Sequence, residues 1–351
     1  MRVLVTGHRG YLGGVLVPLL RQAGHLVVGL DSDLYRRCSF GRSEGPVWEL
    51  EADLRDVRRC DLEGYQAVIH LGGVSDAGVA ERHEEQATEI NHRAAVRLAG
   101  VARAAGVERF VYASSALNYA GLPDPDQALS EDCLLDPLGP LARMQVLAER
   151  DLSWLASEGF SPVCLRLAPV FGYSPRHRLD LLVNELVAEA HATGKVSLGG
   201  EGDEWCPLVH VEDVARALAC VLVAPRQEVH AQAFNLAASE PYRLRELVDL
   251  VRRTTRAQLR RVAGPSSLPP RTYPLDCQKI ARRLGFQPIW SARLGILELQ
   301  GAYRLHRLTR AELMADRYRR GAHLERLITS GALSPALRPD TCAPALARAS
   351  A

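Results

Sequence analysis

The sequence predicts an α/β fold in which helices pack on both faces of a doubly wound parallel sheet. Three observations support this prediction. A glycine-rich turn follows a β-rich run at the start of the chain and opens a helical pattern. Short β-rich runs then alternate with helical patterns up to residue 171, as is typical of parallel sheets. From residue 172 onward helical patterns predominate, and they predict a smaller second lobe that interleaves with the sheet.

The β-rich runs and helical patterns follow one another in an order that builds βαβ units. The first run, Arg2–Val5, precedes a helical pattern that extends to about Gln22, where Gly24 is a suitable C-cap. The second run, 25–30, stops at Asp31. Further strands are predicted at 67–71, 109–114 and 163–167, and helices at 90–105, 179–191, 211–222 and 244–255, with a strongly helical segment at 291–327.

These patterns divide the chain into three parts. Residues 1–171 form the predicted sheet domain, and 172–330 mainly form the second lobe. Residues 331–351 are predicted to be a tail without assigned function, since prolines and alanines predominate from Ser334 onward.

Composition restricts the classes of function. The chain has 351 residues, 47% hydrophobic and 24% charged, which is ordinary for a globular protein. Its 43 basic and 41 acidic residues give a net charge of +2, so nothing predicts binding to nucleic acid or to a membrane surface. The apolar runs are too short for a membrane span, and a cytoplasmic location is expected. Eight cysteines without a Cys-x-x-Cys pair predict neither a disulfide framework nor a metal site.

The glycine-rich turn predicts a dinucleotide site. Gly7, Gly10 and Gly13 are spaced by three, directly after a strand and at the opening of a helix. Such glycines allow a tight turn, a close approach to a pyrophosphate and close packing of helix on strand. Asp31 ends the next strand, where an acid binds the adenosine ribose hydroxyls. Its charge would repel a 2′-phosphate, so NAD is favoured over NADP, although Arg36 and Arg37 leave NADP open.

Several motifs resemble the extended short-chain dehydrogenase/reductases, the group of NAD-dependent nucleotide-sugar epimerases and dehydratases. The resemblance covers nearly the whole chain and implies a Rossmann-type fold, a small-molecule substrate and a homodimer. It rests on motifs at 6–13, 53–56, 67–73, 90–92, 109–115, 166–172, 205–215, 234–236 and 279–286. The cofactor contacts predicted from the glycine turn and the resemblance together are Thr6, Gly7, Gly10, Tyr11, Leu12, Gly13, Asp31, Asp53, Leu54, Leu71, Gly72, Gly73, Asn91, Ser114 and Gln145.

The sequence departs from this family at the residues that carry its chemistry. The family uses a Tyr-x-x-x-Lys pair, in which the tyrosine exchanges a proton with the substrate and the lysine lowers its pKa. Aligned on Pro140 and Glu149, Leu141 occupies the tyrosine position and Gln145 the lysine position. Leucine cannot transfer a proton and glutamine carries no charge, so ordinary dehydrogenase chemistry is expected to be impaired. Cys206 stands where the family usually has an arginine that pairs with a nucleotide diphosphate.

Other residues near the expected site are candidates for the missing roles. Ser115 matches the family's active-site serine, while Tyr119 and Asp76 are possible proton carriers, with a packing role favoured for Tyr119. His70 and His210 are interpreted as structural. The candidate substrate contacts are Arg176, Arg178, Asn184 and Cys206, although Arg176 and Arg178 are equally compatible with a solvated surface.

Three hypotheses of function follow. The first is an atypical enzyme of specialised metabolism that keeps NAD and catalyses a redox-neutral reaction on a sugar nucleotide or another hydroxylated or carbonyl substrate. The second is a non-catalytic relative that binds NAD or a partner. The third is a conventional nucleotide-sugar epimerase, dehydratase or ketoreductase. The basic residues include only two lysines, Lys195 and Lys279, and this arginine bias fits a GC-rich bacterial source.

Overall fold

The computed structural model describes residues 1–40, 47–122, 128–264 and 273–338. Its centre is a sheet of seven parallel strands in the order β7-β6-β5-β4-β1-β2-β3, which confirms the predicted doubly wound α/β fold. The strands are β1 Arg2–Thr6, β2 Leu26–Asp31, β3 Trp48–Glu51, β4 Ala67–His70, β5 Arg109–Ser115, β6 Ser161–Leu167 and β7 Gln232–Leu236.

Helices cover both faces of this sheet. Strand residues such as Val3 and Val5 on one face and Leu4 on the other are fully buried, and each face packs on its own apolar cluster. Continuous apolar strands of this kind are expected where both faces are covered. The helices are α1 Gly13–Gln22, α2 Ala77–Arg82, α3 Glu84–Thr88, α4 Ala95–Ala104, α5 Gly139–Trp154, α6 Leu182–Thr193, α7 Val211–Val223, α8 Arg226–Val229, α9 Leu244–Thr255, α10 Gln278–Leu284, α11 Ala292–Leu305, α12 Arg310–Met314 and α13 Arg320–Thr329.

A second lobe packs beside the carboxyl ends of the strands. Its core joins α6, α9 and α11 around buried Val187, Leu247 and Leu299. Three short strand pairs join the segments between these helices: Val170–Phe171 with Val209–His210, Lys195–Gly199 with Gln258–Val262, and Trp205–Cys206 with Tyr242–Arg243. None of the described helices is long and apolar enough to cross a membrane.

Some predicted elements differ from the structure. The predicted helix at 90–105 is preceded by α2 and α3 and begins as a π-helical turn, Glu89–Ala94, before α4. The helical segment predicted at 291–327 is broken into α11, α12 and α13. Strands β3 and β7 were not predicted. The first is an exposed edge strand, with Trp48 85% exposed, and the second returns from the second lobe to the sheet.

The prediction of a loose tail at 331–351 is wrong for residues 331–338, which pack on the sheet domain. Residues 320–338, which we call the strap, comprise α13 and the segment after it. Leu324, Leu327, Leu333 and Leu337 are buried in one cluster with Val74 and Val79. Arg55 donates hydrogen bonds to the carbonyls of Ala336 and Leu337 at 2.7 and 3.1 Å. Buried leucines therefore fix this segment to the sheet domain, while 339–351 lie outside the described residues.

Candidate active site

Two adjoining cavities lie at the carboxyl ends of the central strands. The first, of about 240 Å³, is lined by the glycine turn and the ends of β1 and β2. The second, of about 430 Å³, is lined by the ends of β4 and β5 and by α5. The segment 71–75 and Arg178 line both. Parallel α/β sheets bind ligands at this edge.

The glycine turn has no room for side chains. Gly7 adopts a φ of +71°, and a Cβ there would lie 2.8 Å from the backbone nitrogen of Gly72. A Cβ on Gly13 would lie 2.4 Å from the carbonyl oxygen of Gly7, because α1 packs directly on the turn. The turn therefore keeps backbone amides exposed to a narrow cradle at the start of a helix, which suits a pyrophosphate.

Asp31 lies in the first cavity at the end of β2. Its carboxylate accepts hydrogen bonds from the backbone amides of Arg9 and Asp33 at 2.9 and 2.8 Å. Two arginines near this carboxylate are paired with acids. Arg9 pairs with Asp33 and Glu49, and Arg36 pairs with Asp33 and Glu51. This wall is thus better suited to ribose hydroxyls than to a 2′-phosphate.

Eleven of the fifteen predicted cofactor residues line the first cavity. Thr6 accepts a hydrogen bond from the amide of Gly72 at 3.3 Å, which joins β1 to the loop after β4. Asp53 is held by Arg55 through hydrogen bonds of 2.6 and 2.9 Å. The residues of this set in the lining are Thr6, Gly7, Gly10, Tyr11, Leu12, Asp31, Asp53, Leu54, Leu71, Gly72 and Gly73.

Other predicted cofactor residues have clear structural partners. The Tyr11 hydroxyl donates to the carbonyl of Gly172 at 2.6 Å, and burial raises its pKa strongly. Asn91, on the π-helical turn, bonds to both the amide and the carbonyl of Val74 at 2.8 Å. It thereby fixes the loop between the cavities. Gly13 lines neither cavity and acts through packing.

A buried polar network lies behind the second cavity. Glu149 of α5 accepts from Ser114 at 2.5 Å and from Arg166 at 2.8 Å. The same arginine donates to the Tyr119 hydroxyl at 2.7 Å, which donates to Asn235 at 2.9 Å. These bonds connect α5 to β5, β6 and β7.

Tyr119 is therefore wrong as a proton carrier. It is 1% exposed and lies outside both cavities. Burial raises its pKa to about 12 despite the Arg166 guanidinium. A hydroxyl that is held on both sides and cannot reach the cavity serves packing, which was the favoured interpretation.

The wall of the second cavity carries Ser115, Leu141 and Gln145 together. The Ser115 hydroxyl accepts from the amide of Leu117 at 3.1 Å, so its own proton is left to donate. Leu141 packs on the cluster around Val74. The Gln145 Oε1 is buried and has no hydrogen-bond partner among the described residues. An unpaired buried amide oxygen is costly unless a ligand donates to it.

The acid and base candidates near this wall are held in other contacts. Asp180 and Glu185, which line the second cavity, are paired with Arg178 and Arg319. Asp76 lines neither cavity and is the N-cap of α2, where its carboxylate accepts from the Val79 amide at 2.8 Å, so its catalytic role stays a prediction without support from this geometry. His70 lines the second cavity, but its ring bonds to Thr6 at 2.6 Å and burial lowers its pKa to about 4.

Of the predicted substrate contacts, only Arg178 reaches the cavities. It donates two hydrogen bonds of 3.0 Å to Asp180 and one of 3.1 Å to Ser75. The other three line neither cavity, and their contact with a substrate stays a prediction. Arg176 donates to the backbone of Tyr35 and Arg36, Asn184 bonds to Gly172 and Tyr11, and Cys206 is buried in the second lobe.

The residues present fit a dinucleotide. The evidence is the cradle that a Cβ would fill and the acid at the end of β2. The sequence analysis missed Arg320 and Leu337, which line the first cavity from the strap. No motif marks them, because they follow Gly7 by more than three hundred residues.

Comparisons with known proteins agree with this geometry. The model of the NAD dependent epimerase/dehydratase family matches residues 3–237. A UDP-glucose 4-epimerase of Mycolicibacterium smegmatis is 31% identical over 226 residues, 62% of this chain and 72% of that protein. A UDP-glucose 4-epimerase of Corynebacterium glutamicum is 25% identical over 82% of this chain and 91% of that protein. The solved structure of MoeE5 in complex with UDP-glucose and NAD is 28% identical, with a TM-score of 0.76, and covers 88% of this chain and 100% of that chain.

Proposed function

The chain belongs to the NAD-dependent epimerase/dehydratase family, and we propose that it is an NAD-binding member that catalyses a redox-neutral reaction with a non-standard active site. One observation carries the proposal. A cavity built on the glycine turn adjoins a second cavity whose wall brings together Ser115, Leu141 and Gln145. The first can hold a dinucleotide, and the second has the serine of the family without its tyrosine and lysine.

NAD is favoured over NADP by the charges around Asp31. The carboxylate would repel a 2′-phosphate, and neighbouring Arg9 and Arg36 are paired with acids. The family description and the solved complex of MoeE5 with NAD support the same cofactor. NAD, when bound, supplies hydride acceptance and return.

The chain's own residues then bind and orient the substrate. Ser115 donates its hydroxyl proton to a substrate oxygen, and Gln145 accepts from a hydroxyl in the same cavity. Leu141 excludes water where the family has a tyrosine. Leu141 offers no phenolate at the position of the family's tyrosine, and the carboxylates of Asp180 and Glu185 on this lining are paired with arginines. Elimination, isomerisation or ring closure is therefore favoured over net oxidation.

The substrate class is a sugar nucleotide or another small hydroxylated or carbonyl compound. The UDP-glucose named for MoeE5 and for the epimerase relatives supports a sugar nucleotide. Against a diphosphate, Arg178 is the only arginine or lysine among the described residues that line the second cavity, and it is paired with Asp180.

The experiment has two stages. The purified protein is denatured and the released nucleotide is identified by chromatography and mass spectrometry against NAD, NADH and NADP. The loaded protein is then incubated with UDP-glucose and with non-nucleotide sugars, and the products are identified by NMR. We expect bound NAD and a product of unchanged redox state, with turnover lost in Ser115→Ala and kept in Ser153→Ala, an exposed position on α5. An empty protein that also fails to bind added NAD contradicts the proposal.

A non-catalytic NAD-binding protein is the second candidate, and the leucine and glutamine on the cavity wall favour it. It predicts bound NAD with no product from any substrate and no effect of Ser115→Ala on binding. Interconversion of UDP-glucose and UDP-galactose would instead identify a conventional epimerase.

A further inference from the structure

The strap carries a buried arginine into the wall of the first cavity. Arg320 begins α13, is 2% exposed and lines the cavity together with Leu324 and Leu337 of the same segment. Its position on the wall places a positive charge in the cavity that the glycine turn also lines.

This guanidinium lacks the partners that a buried charge normally has. One nitrogen donates to the carbonyl of Arg176 at 3.1 Å, and the plane stacks over Tyr35 at 4.0 Å. The other terminal nitrogen, Nη1, is buried without a hydrogen-bond partner within the described part of the chain. Burial lowers its pKa, and no carboxylate of the described residues forms an ion pair with it. A buried cation without a counter-charge is unfavourable.

The other arginines that line this cavity have ion-pair partners. Arg55 pairs with Asp53, and Arg178 pairs with Asp180. Asp180 also accepts from the backbone amide of Arg320 at 3.1 Å, so its two oxygens are already used. Among the described charged side chains of the lining, Asp31 and Arg320 therefore remain without an ion-pair partner. The first suits ribose hydroxyls, and the second requires an anion.

We propose that Arg320 binds the pyrophosphate of the dinucleotide together with the glycine turn, so that the strap completes the cofactor site. This inference rests on the proposed function, since it assigns one more residue to the same NAD site. Arginine is suited to the role because its planar fork donates two hydrogen bonds to phosphate oxygens. The ligand then supplies the counter-charge that the chain itself does not.

The test measures binding of three probes by calorimetry: NAD, ADP-ribose and adenosine, which lacks phosphate. For Arg320→Gln we expect the dissociation constants of NAD and ADP-ribose to rise about 10- to 100-fold, with adenosine unchanged. Arg320→Lys keeps the charge without the fork, and an intermediate loss is expected. The matched control is Arg326→Gln, because Arg326 is on the same helix and does not line the cavity.

A second readout separates binding from folding. Removal of an unpaired buried charge is expected to leave the melting temperature of the nucleotide-free protein unchanged or higher, whereas a purely structural arginine would lower it. Wild-type affinity for NAD and ADP-ribose in both variants, or an equal loss of affinity for adenosine, overturns the inference and leaves the proposed function intact. Wild-type protein that binds neither NAD nor ADP-ribose overturns the proposed function, and this inference with it.

Discussion

The side chains of this site divide into those held by the chain and those left for a ligand. Tyr11, Asn91 and Tyr119 have their polar atoms bonded within the protein, so they shape the cavities. The Gln145 Oε1 and the Arg320 Nη1 are buried without partners among the described residues. Buried polar groups are normally paired, and both of these residues line a cavity, so we expect the two atoms to interact with a bound molecule.

Tyr119→Phe tests the structural role of that tyrosine. The change removes a buried hydroxyl that bonds to Arg166 and Asn235, and we expect a loss of about 1–3 kcal/mol in the free energy of unfolding. Turnover per loaded molecule should not change. Urea unfolding and a turnover assay measure the two quantities. Tyr242→Phe, whose hydroxyl bonds at the surface to Glu240, is the control and should cost less than about 0.5 kcal/mol. Lost turnover in the Tyr119 variant at unchanged stability would contradict this role.

His70 predicts an acid sensitivity of the fold. Burial lowers its pKa to about 4, below the value of about 6.5 in the unfolded chain. Between these pH values the unfolded chain binds a proton that the folded protein does not, so stability falls as pH decreases from about 6.5 to 4. The full slope is about 1.4 kcal/mol per pH unit.

The measurement is urea unfolding at pH 7, 6 and 5. His70→Gln should flatten the dependence, and His177, whose pKa burial lowers to about 3, should account for part of the remaining slope. An identical slope in the variant and the wild type would show that His70 does not contribute.

At the scale of elements, the first βαβ unit and the strap form one site from distant segments. Helix α1 packs so closely on the glycine turn that a side chain on Gly13 would displace backbone. The π-helical turn places Asn91 where it bonds to the Val74 loop. The strap packs on that same loop through Leu324 and Leu337. The residues that form the walls of the first cavity are therefore held in place by contacts behind those walls.

Gly13→Ala tests the packing of α1 on the turn. Because the new methyl group would lie 2.4 Å from the Gly7 carbonyl oxygen, the turn must move, and we expect loss of most copurified nucleotide and a lower melting temperature. Nucleotide content by chromatography and calorimetric melting measure both. The control is Gly100→Ala in the interior of α4, where an added Cβ would meet no atom within 4 Å outside its own helix. This change should raise the free energy of unfolding by up to about 1 kcal/mol. Wild-type nucleotide content in Gly13→Ala would contradict the role of the turn.

The elements that could be predicted from the sequence are those marked by a pattern within a few neighbouring residues. The apolar runs of β1, β2, β4, β5 and β6 identify buried strands, and the glycine spacing identifies the turn. Strand β3 escaped prediction because its side chains are exposed on the sheet edge and give no apolar pattern. Residues 331–338 of the strap were expected to be a tail because of their composition, and only the buried contacts of Leu333 and Leu337 order them. The sequence also could not show which predicted substrate residues line a cavity, because the direction of a side chain depends on tertiary packing.

At the scale of the whole molecule, sheet domain and second lobe share the carboxyl edge of the sheet. The family expected from the motifs is confirmed, and so is the α/β fold. The second lobe contributes β7 to the sheet, and Arg178 lines both cavities from the segment between β6 and α6. The chain is thus not two separable units at residue 171, and the site lies where the two parts meet.

The first cavity has one wall from the first fifteen residues of the chain and another from residues 320–338. Contacts between such distant segments are slow to form, because loop closure must precede any gain in packing energy. Closure of this cavity is therefore expected late in folding, after the sheet has assembled. A nucleotide that contacts both walls is then expected to bind only after this last step, and its binding stabilises the closed arrangement of the two distant segments.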